Sequence, residues 1–431
     1  MRLPRIAPAR ARGTTARCLL AALLVSSVAR AEGPGIKLSD SLVLHPGIAI
    51  GAGYDNNIFY TTDNPTGAFY LDVRPALDLA TLSLQRGGDQ PHDVDFRLHL
   101  GSSMRFLLSG NSGINEHYGI NLEGGASVSF FPFGNYSFDL FDNYTRTSQP
   151  PYGQVYTNEN INYDQNQLGL RLRIKPGGQR LEIAVQYLFG LFLFESPAIF
   201  TTKDDIINDF QLRVSWKFFP KTALYLQASE QANTYINQGP NTPPSAFPFR
   251  IVLGVIGLLT PTVSVNLNVG YANSFTQSNA NYMNTQSYNN AIGTLELKWK
   301  PTLGTDLTIG YRHDLAQALI GTFYMLDTAY ASLSQMIWRL TGVLRFSYER
   351  RAFSGDLTPD FQTNNDANPR VDNLFFFHVE LTLPIKDWLY FTAGDDIGYN
   401  SSNCAFVVTA AQPIACNYFR NDVWLRAGVA Y

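Results

Sequence analysis

The residues of this 431-residue chain that could do chemistry are thinly spread. Its six histidines, His45, His92, His99, His117, His313 and His378, are scattered without metal-ligand spacing, and no HExxH, GxSxG or Walker pattern occurs. Asp55-Asn56-Asn57 opens like a calcium loop but lacks the acids and glycine that should follow, so it reads as a turn. No metal, no cofactor and no enzymatic activity are expected. Cys404 and Cys416 lie in one Asn/Ala/Pro-containing segment without a CxxC spacing or a histidine-rich neighbourhood. They read as a disulfide closing a loop in an oxidising compartment, the alternative being two free thiols.

The charged residues are more telling, because they fall at alternate positions. Asp72, Arg74 and Asp78 alternate with Leu71, Val73, Leu77 and Leu79, and Asp95, Arg97 and Arg105 alternate with Val94, Phe96, Leu98 and Phe106. A helix would scatter such charges around its surface, whereas a strand collects them on one face. The same register gives Glu123, Arg171, Arg173, Arg213, Glu296, Arg312, Arg345, Glu380 and Arg426 as further members of one polar surface. These residues can pair across strands and stiffen a wall. They can also line a path, and their mixed sign suits a neutral or weakly charged hydrogen-bonding solute such as a sugar.

The elements that would carry this surface are long strands. The alternating segments run for about 10–15 residues, where soluble strands average 5–6. Aromatic residues recur near their ends, at Tyr54, Phe69, Phe106, Phe130, Tyr136, Trp216, Trp299, Tyr311, Trp388 and Trp424, where interfacial girdles belong. Short Pro/Gly-rich connections alternate with long Asn/Asp/Ser/Thr-rich ones, the asymmetry of a transmembrane barrel. Strands are expected to begin near 42, 67, 92, 117, 135, 163, 180, 205, 222, 248, 262, 287, 305, 322, 339, 372, 387 and 417. That makes an all-β, antiparallel, up-and-down barrel of about eighteen strands over residues 42–431, with both termini on the periplasmic side. Ala223–Tyr235 and Thr322–Trp338 alternate weakly, and losing one hairpin would leave sixteen.

Composition agrees. Charged residues are 16% of the chain against about 25% in typical globular proteins, aromatics reach 13%, and mean hydropathy is −0.10. No apolar run approaches the roughly 18 residues of a membrane-spanning helix. Residues 1–31 read as a cleaved signal peptide, with a basic start, the apolar core Cys18–Val28 and the small-residue site Ala29-Arg30-Ala31. Residues 32–41 would then form a short periplasmic segment. The leader holds six arginines and no acids, so its removal takes the net charge from −3 to −9 and leaves no electrostatic basis for nucleic-acid binding. The last strand alternates Val423, Leu425, Ala427 and Val429 with polar or small residues and ends on Tyr431, a pattern that resembles the signal read by the outer-membrane assembly machinery.

At Gly51-Ala52-Gly53-Tyr54-Asp55-Asn56-Asn57-Ile58-Phe59, and in the Asp63–Thr66 and Phe69–Pro75 stretches after it, the chain resembles the type 2 β-barrel porin family found in exopolysaccharide export systems. That resemblance implies an outer-membrane conduit of a Gram-negative cell for secreted polysaccharide. It also implies a separate periplasmic polysaccharide-export protein as partner, since residues 32–41 are too few for a periplasmic domain. A general diffusion porin for small polar solutes and a structural or adhesive barrel are the other readings. Deleting Tyr431 should lower the assembled, heat-modifiable fraction in outer-membrane extracts, and unchanged assembly would count against the C-terminal signal.

Overall fold

A computed structural model describes residues 35–81, 93–110, 114, 119–148, 162–177, 180–196, 203–237, 242–277, 287–318, 322–354, 370–403, 405–407 and 413–431. Among these, eighteen long strands form one closed sheet: β1 (Leu42–Asp55), β2 (Ala68–Thr81), β3 (Val94–Leu108), β4 (Gly119–Phe130), β5 (Tyr136–Thr147), β6 (Asn162–Ile174), β7 (Leu181–Ser196), β8 (Asp205–Phe219) and β9 (Thr222–Tyr235), followed by β10 (Phe249–Leu258), β11 (Val263–Asn273), β12 (Asn289–Trp299), β13 (Thr305–Gln317), β14 (Phe323–Ile337), β15 (Leu340–Phe353), β16 (Val371–Lys386), β17 (Leu389–Ser402) and β18 (Tyr418–Ala430). Each pairs antiparallel with the next, and β18 pairs with β1 from Gly47↔Ala430 to Asp55↔Asp422, which closes the ring. Every expected strand is present within about two residues of its expected start, including the two that alternate weakly. The leader lies outside the described residues.

Closure fixes the dimensions. Following registered partners around the wall returns to β1 about 22 residues from the starting point. For eighteen strands that stagger sets a tilt of about 40° and about 34 Å between opposite backbones, wide enough for water inside.

The two faces divide as the dyad pattern requires. Ile48, Ile50, Phe69, Leu71, Leu168, Leu170, Leu267, Val269, Leu295, Leu297, Leu425 and Val429 are exposed, although the intervening Tyr70, Asp72 and Asp422 are buried. An apolar residue exposed at every second position around a closed wall is a lipid-facing surface. Trp216, Trp299, Trp338 and Trp388 stand exposed at the short-turn rim, and Tyr54, Phe69, Phe106, Tyr399 and Phe419 towards the opposite rim. Trp424 is a correction to the girdle reading. Its indole is 4% exposed, because it occupies the inward register of β18, where Nε1 donates to Asp396 Oδ2 at 3.3 Å and Arg426 covers the ring at 3.5 Å. An aromatic near a strand end is a girdle residue only if its parity also points outward.

Two connections depart from the short/long alternation. Residues 82–93, between β2 and β3, are long on the side of the termini, and residues 318–322, between β13 and β14, are short on the opposite side.

Inward aromatic rings lie flat on glycines of neighbouring strands. A Cβ on Gly394 would come within 2.3 Å of the Trp424 ring, and one on Gly53 within 2.4 Å of the Tyr70 ring. Tyr225 over Gly254, Tyr330 over Gly310, Tyr390 over Gly428 and Phe141 over Gly169 repeat the arrangement. The missing side chain lets each ring lie along the wall instead of projecting from it. Replacing Gly394 by alanine should therefore destabilise the folded barrel by about 1–3 kcal/mol, the usual range for overpacking, read as a lower urea midpoint for loss of heat-modifiable mobility.

Candidate functional site

The interior is lined by the residues on the register opposite to the exposed apolar positions, and all fifteen charged candidates named from sequence lie on it. They do not form one cluster. Around the seam where β18 meets β1, Asp72 is 1% exposed and accepts from Arg74 Nε and Arg426 Nε, both at 2.8 Å, and from Ser103 Oγ at 3.3 Å. Arg105 donates to Asp422 at 3.0 Å and Asp55 at 3.5 Å while its guanidinium covers the Tyr70 ring at 4.0 Å. Towards the short-turn rim, His99 bridges Asp78 at 2.8 Å and Glu123 at 3.2 Å, and Arg97 reaches Asp78 at 3.5 Å. Asp95, buried, accepts from Thr81 Oγ1 at 3.4 Å.

The remaining candidates are spread around the wall. Arg171 donates to Gln186 Oε1 at 2.7 Å, and Arg173 pairs with Asp139 at 2.8 Å. Arg213 covers the Tyr225 ring at 3.9 Å. Glu296 accepts from the Tyr330 hydroxyl at 2.6 Å and pairs with Lys298 at 3.2 Å, and Arg312 pairs with Asp314. Arg345 is in register with His378, whose Nδ1 meets Asp396 at 2.6 Å. His378 Nε2 lies 3.9 Å from Glu380, close enough for charge attraction and too far for a hydrogen bond.

The residues that sequence reasoning missed are those that order the loop-side mouth. Asp55 is buried at the end of β1, gripped by Arg420 through Nε to Oδ2 at 3.0 Å and Nη2 to Oδ2 at 2.5 Å. Asp55 and Asp422 are direct cross-strand partners at 1% and 2% exposure, an arrangement that repels unless cations intervene. Arg420 and Arg105 supply those cations, each reaching both carboxylates. The turn after Asp55 then folds inward. Asn57 donates to the Thr61 and Phe419 carbonyls at 2.8 and 3.0 Å, and Ile58 packs against the buried cluster of Ala68, Tyr70, Leu107 and Trp424. Tyr60 holds a left-handed φ of 55°, a conformation that costs about 1–2 kcal/mol, and its hydroxyl accepts from Arg420 Nη1 at 2.9 Å. The Asp55-Asn56-Asn57 motif is thus a structured turn. No residue type announces its arginine, which is 365 positions away.

Outside the spanning strands, burial pushes the Asp204 carboxyl up, against the Phe194 amide and Asn237 amide that donate to it at 2.7 and 2.9 Å. Burial also pushes the Tyr288 hydroxyl up to about 12, with nearby Asp314 adding to it. Cys416 is buried and disulfide-bonded, whereas Cys404 lies outside the described residues. Tyr431 is exposed beyond β18, its amide donating to the Pro46 carbonyl at 3.0 Å.

A closed, even-stranded antiparallel barrel with an apolar exterior, aromatic rims and a charged interior is the architecture of the Gram-negative outer membrane, and this chain is an outer-membrane β-barrel. No family model matches the chain, and no curated protein matches it. Similar solved structures include OccAB3 of Acinetobacter baumannii, at 10% identity over 90% of this chain and 99% of that one with a TM-score of 0.45. OccK1 of Pseudomonas aeruginosa has 8% identity over 90% and 99% with a TM-score of 0.45. The siderophore receptor PirA of Pseudomonas aeruginosa has 7% identity over 92% and 81% with a TM-score of 0.44.

The seam network has a direct test. Asp55→Ala leaves Arg420 buried without its main partner and should destabilise the barrel by about 3–5 kcal/mol. The double variant Asp55→Ala with Arg420→Met should lose less than the single one, both read from urea midpoints of the heat-modifiable form.

Proposed function

We propose that the protein is a passive, non-catalytic diffusion channel for small polar solutes across the outer membrane. The observation that carries this reading is the eighteen-strand closed wall whose inward face presents charges of both signs. A barrel of that strand number encloses water, and paired lumenal charges give a hydrated path without strong selection for either ion sign. The flat-lying rings over glycine keep aromatic bulk against the wall.

Polysaccharide export, the expectation attached to the resemblance at Gly51–Phe59, has no family match behind it, and diffusion fits the mixed-sign lumen better. In planar bilayers the folded barrel should give steady, near-ohmic conductance with weak ion selectivity. In liposome swelling, uptake rates should fall as solute size rises. A folded, inserted barrel that carries no current would overturn the reading.

A further inference from the structure

In the lower half of the lumen, towards the short-turn rim, one stretch of wall carries more cations than acids. Arg173 of β6 and Arg213 of β8 are both cross-strand partners of Ala184 on β7, so they face the water from either side of a methyl group. Two strand spacings put their Cα atoms about 10 Å apart. Arg171 lies above Arg173, and Lys175 and Lys217 follow towards the rim. The acids at this level of β5–β8 are Asp139 and Glu182. Five cations against two acids leave the wall positive. The next acid up β8, Asp209, is four residues from Arg213, about 13 Å along the strand, with Arg250 as its nearby cation.

The arginines of this wall are also less committed than others in the lumen. Arg74, Arg250 and Arg351 each lie 2.6–3.1 Å from a carboxylate. Arg213 forms no such pair among the described residues: its Nε donates to Ser215 Oγ at 3.2 Å, and its guanidinium covers the Tyr225 ring at 3.9 Å. Its two terminal nitrogens have no protein acceptor, and neither is sealed from the lumen. Arg173 spends one terminal nitrogen on Asp139 at 2.8 Å and leaves the other unbonded and accessible. Ala184 between them is only half-buried, so a solute can reach the floor. A guanidinium presents a planar fork of N–H groups that fits two oxygens of a carboxylate or phosphate. Held by Tyr225 and Ser215, that fork loses little freedom on binding.

We propose that the wall around Ala184 is a binding site for the oxyanionic group of a small solute, a carboxylate or phosphate, gripped by the terminal nitrogens of Arg213 with Arg173 opposite. The inference names a solute chemistry for the channel proposed above and rests on that reading for its role in uptake. Binding itself does not need conduction. One such wall in a bore about 34 Å across leaves most of the section to ions of either sign, so bulk selectivity stays weak.

The test is NMR titration of the full-length barrel, folded in a non-ionic detergent at low salt, by saturation transfer from protein to succinate and by phosphorus line broadening of inorganic phosphate. At least one anion should give a saturable signal, and which one does so tells carboxylate from phosphate. Arg213→Gln should weaken it about tenfold or more, the loss of a bidentate contact to a charge. Should that variant lack heat-modifiable mobility, Arg213→Lys keeps the charge but removes the fork, and a clear weakening is again expected. Lys300→Gln, which removes a cation from an exposed pair outside this wall, should leave binding unchanged. Absence of saturation by either anion would overturn the proposal, as would binding that every folded Arg213 variant retains. Equal weakening by Lys300→Gln, or equal binding of neutral succinamide, would overturn it too, the first by showing unspecific attraction to charge. A barrel that conducts but binds neither anion defeats this inference alone, and one that binds them but carries no current defeats the channel reading alone.

Discussion

Everything in this molecule depends on the ladder between its first and last strands. Nine registered pairs join β1 to β18, from Gly47↔Ala430 to Asp55↔Asp422. Without them two strand edges would face hydrocarbon, at several kcal/mol for each unpaired backbone group. The loop-side end of that ladder sets two carboxylates face to face in a buried position. The closure therefore rests on Arg420 and Arg105, which neutralise the pair and extend it to Tyr60 and Tyr70. The same arginines anchor the inward turn at Asn57, so the seam and one wall of the mouth are built from a single charge network.

The interior shows two ways of managing charge in a wide barrel. Around the seam, acids and arginines are dry and mutually saturated: Asp55, Asp72, Arg420 and Asp422 are nearly inaccessible. A similar device recurs on the adjoining wall, where Arg351 pairs with Glu349 at 2.6 Å and Arg370 with Asp372 at 2.5 Å. Elsewhere the charges stay wetter, as in the Lys298–Glu296 and Lys300–Asp306 pairs. Exposed pairs of this kind add about 0–1 kcal/mol, so their position in the lumen matters more for the field a solute meets than for holding the wall together.

The wall was legible in the sequence because lipid outside and water inside impose a period of two on every spanning strand. Phe69 to Leu79 and Val423 to Val429 show it without any partner being known. Where the contrast fades there is a physical reason. In β9 the outward Ala228 and Ala232 are small while the inward Tyr225 and Tyr235 are aromatic, and in β14 the inward Tyr324 and Leu326 are buried in an apolar cluster. Pairing across the barrel was not legible, since Asp55 and Arg420 meet only once the ring has closed. The same holds for Trp424, whose neighbourhood of Gly394, Asp396 and Arg426 comes from two strands.

The rings laid on glycine carry a consequence for variation. At each of those six places the wall thickness is shared between two chain positions, one contributing all the bulk and the other none. A mutation that enlarges the glycine must push its ring towards the centre, so narrowing can arise from residues that line nothing themselves. A mutation that trims the ring uncovers bare main chain to the water column. The bore of the barrel is thus encoded in pairs, and a change in one member leaves it unaltered only if the other changes in the opposite sense.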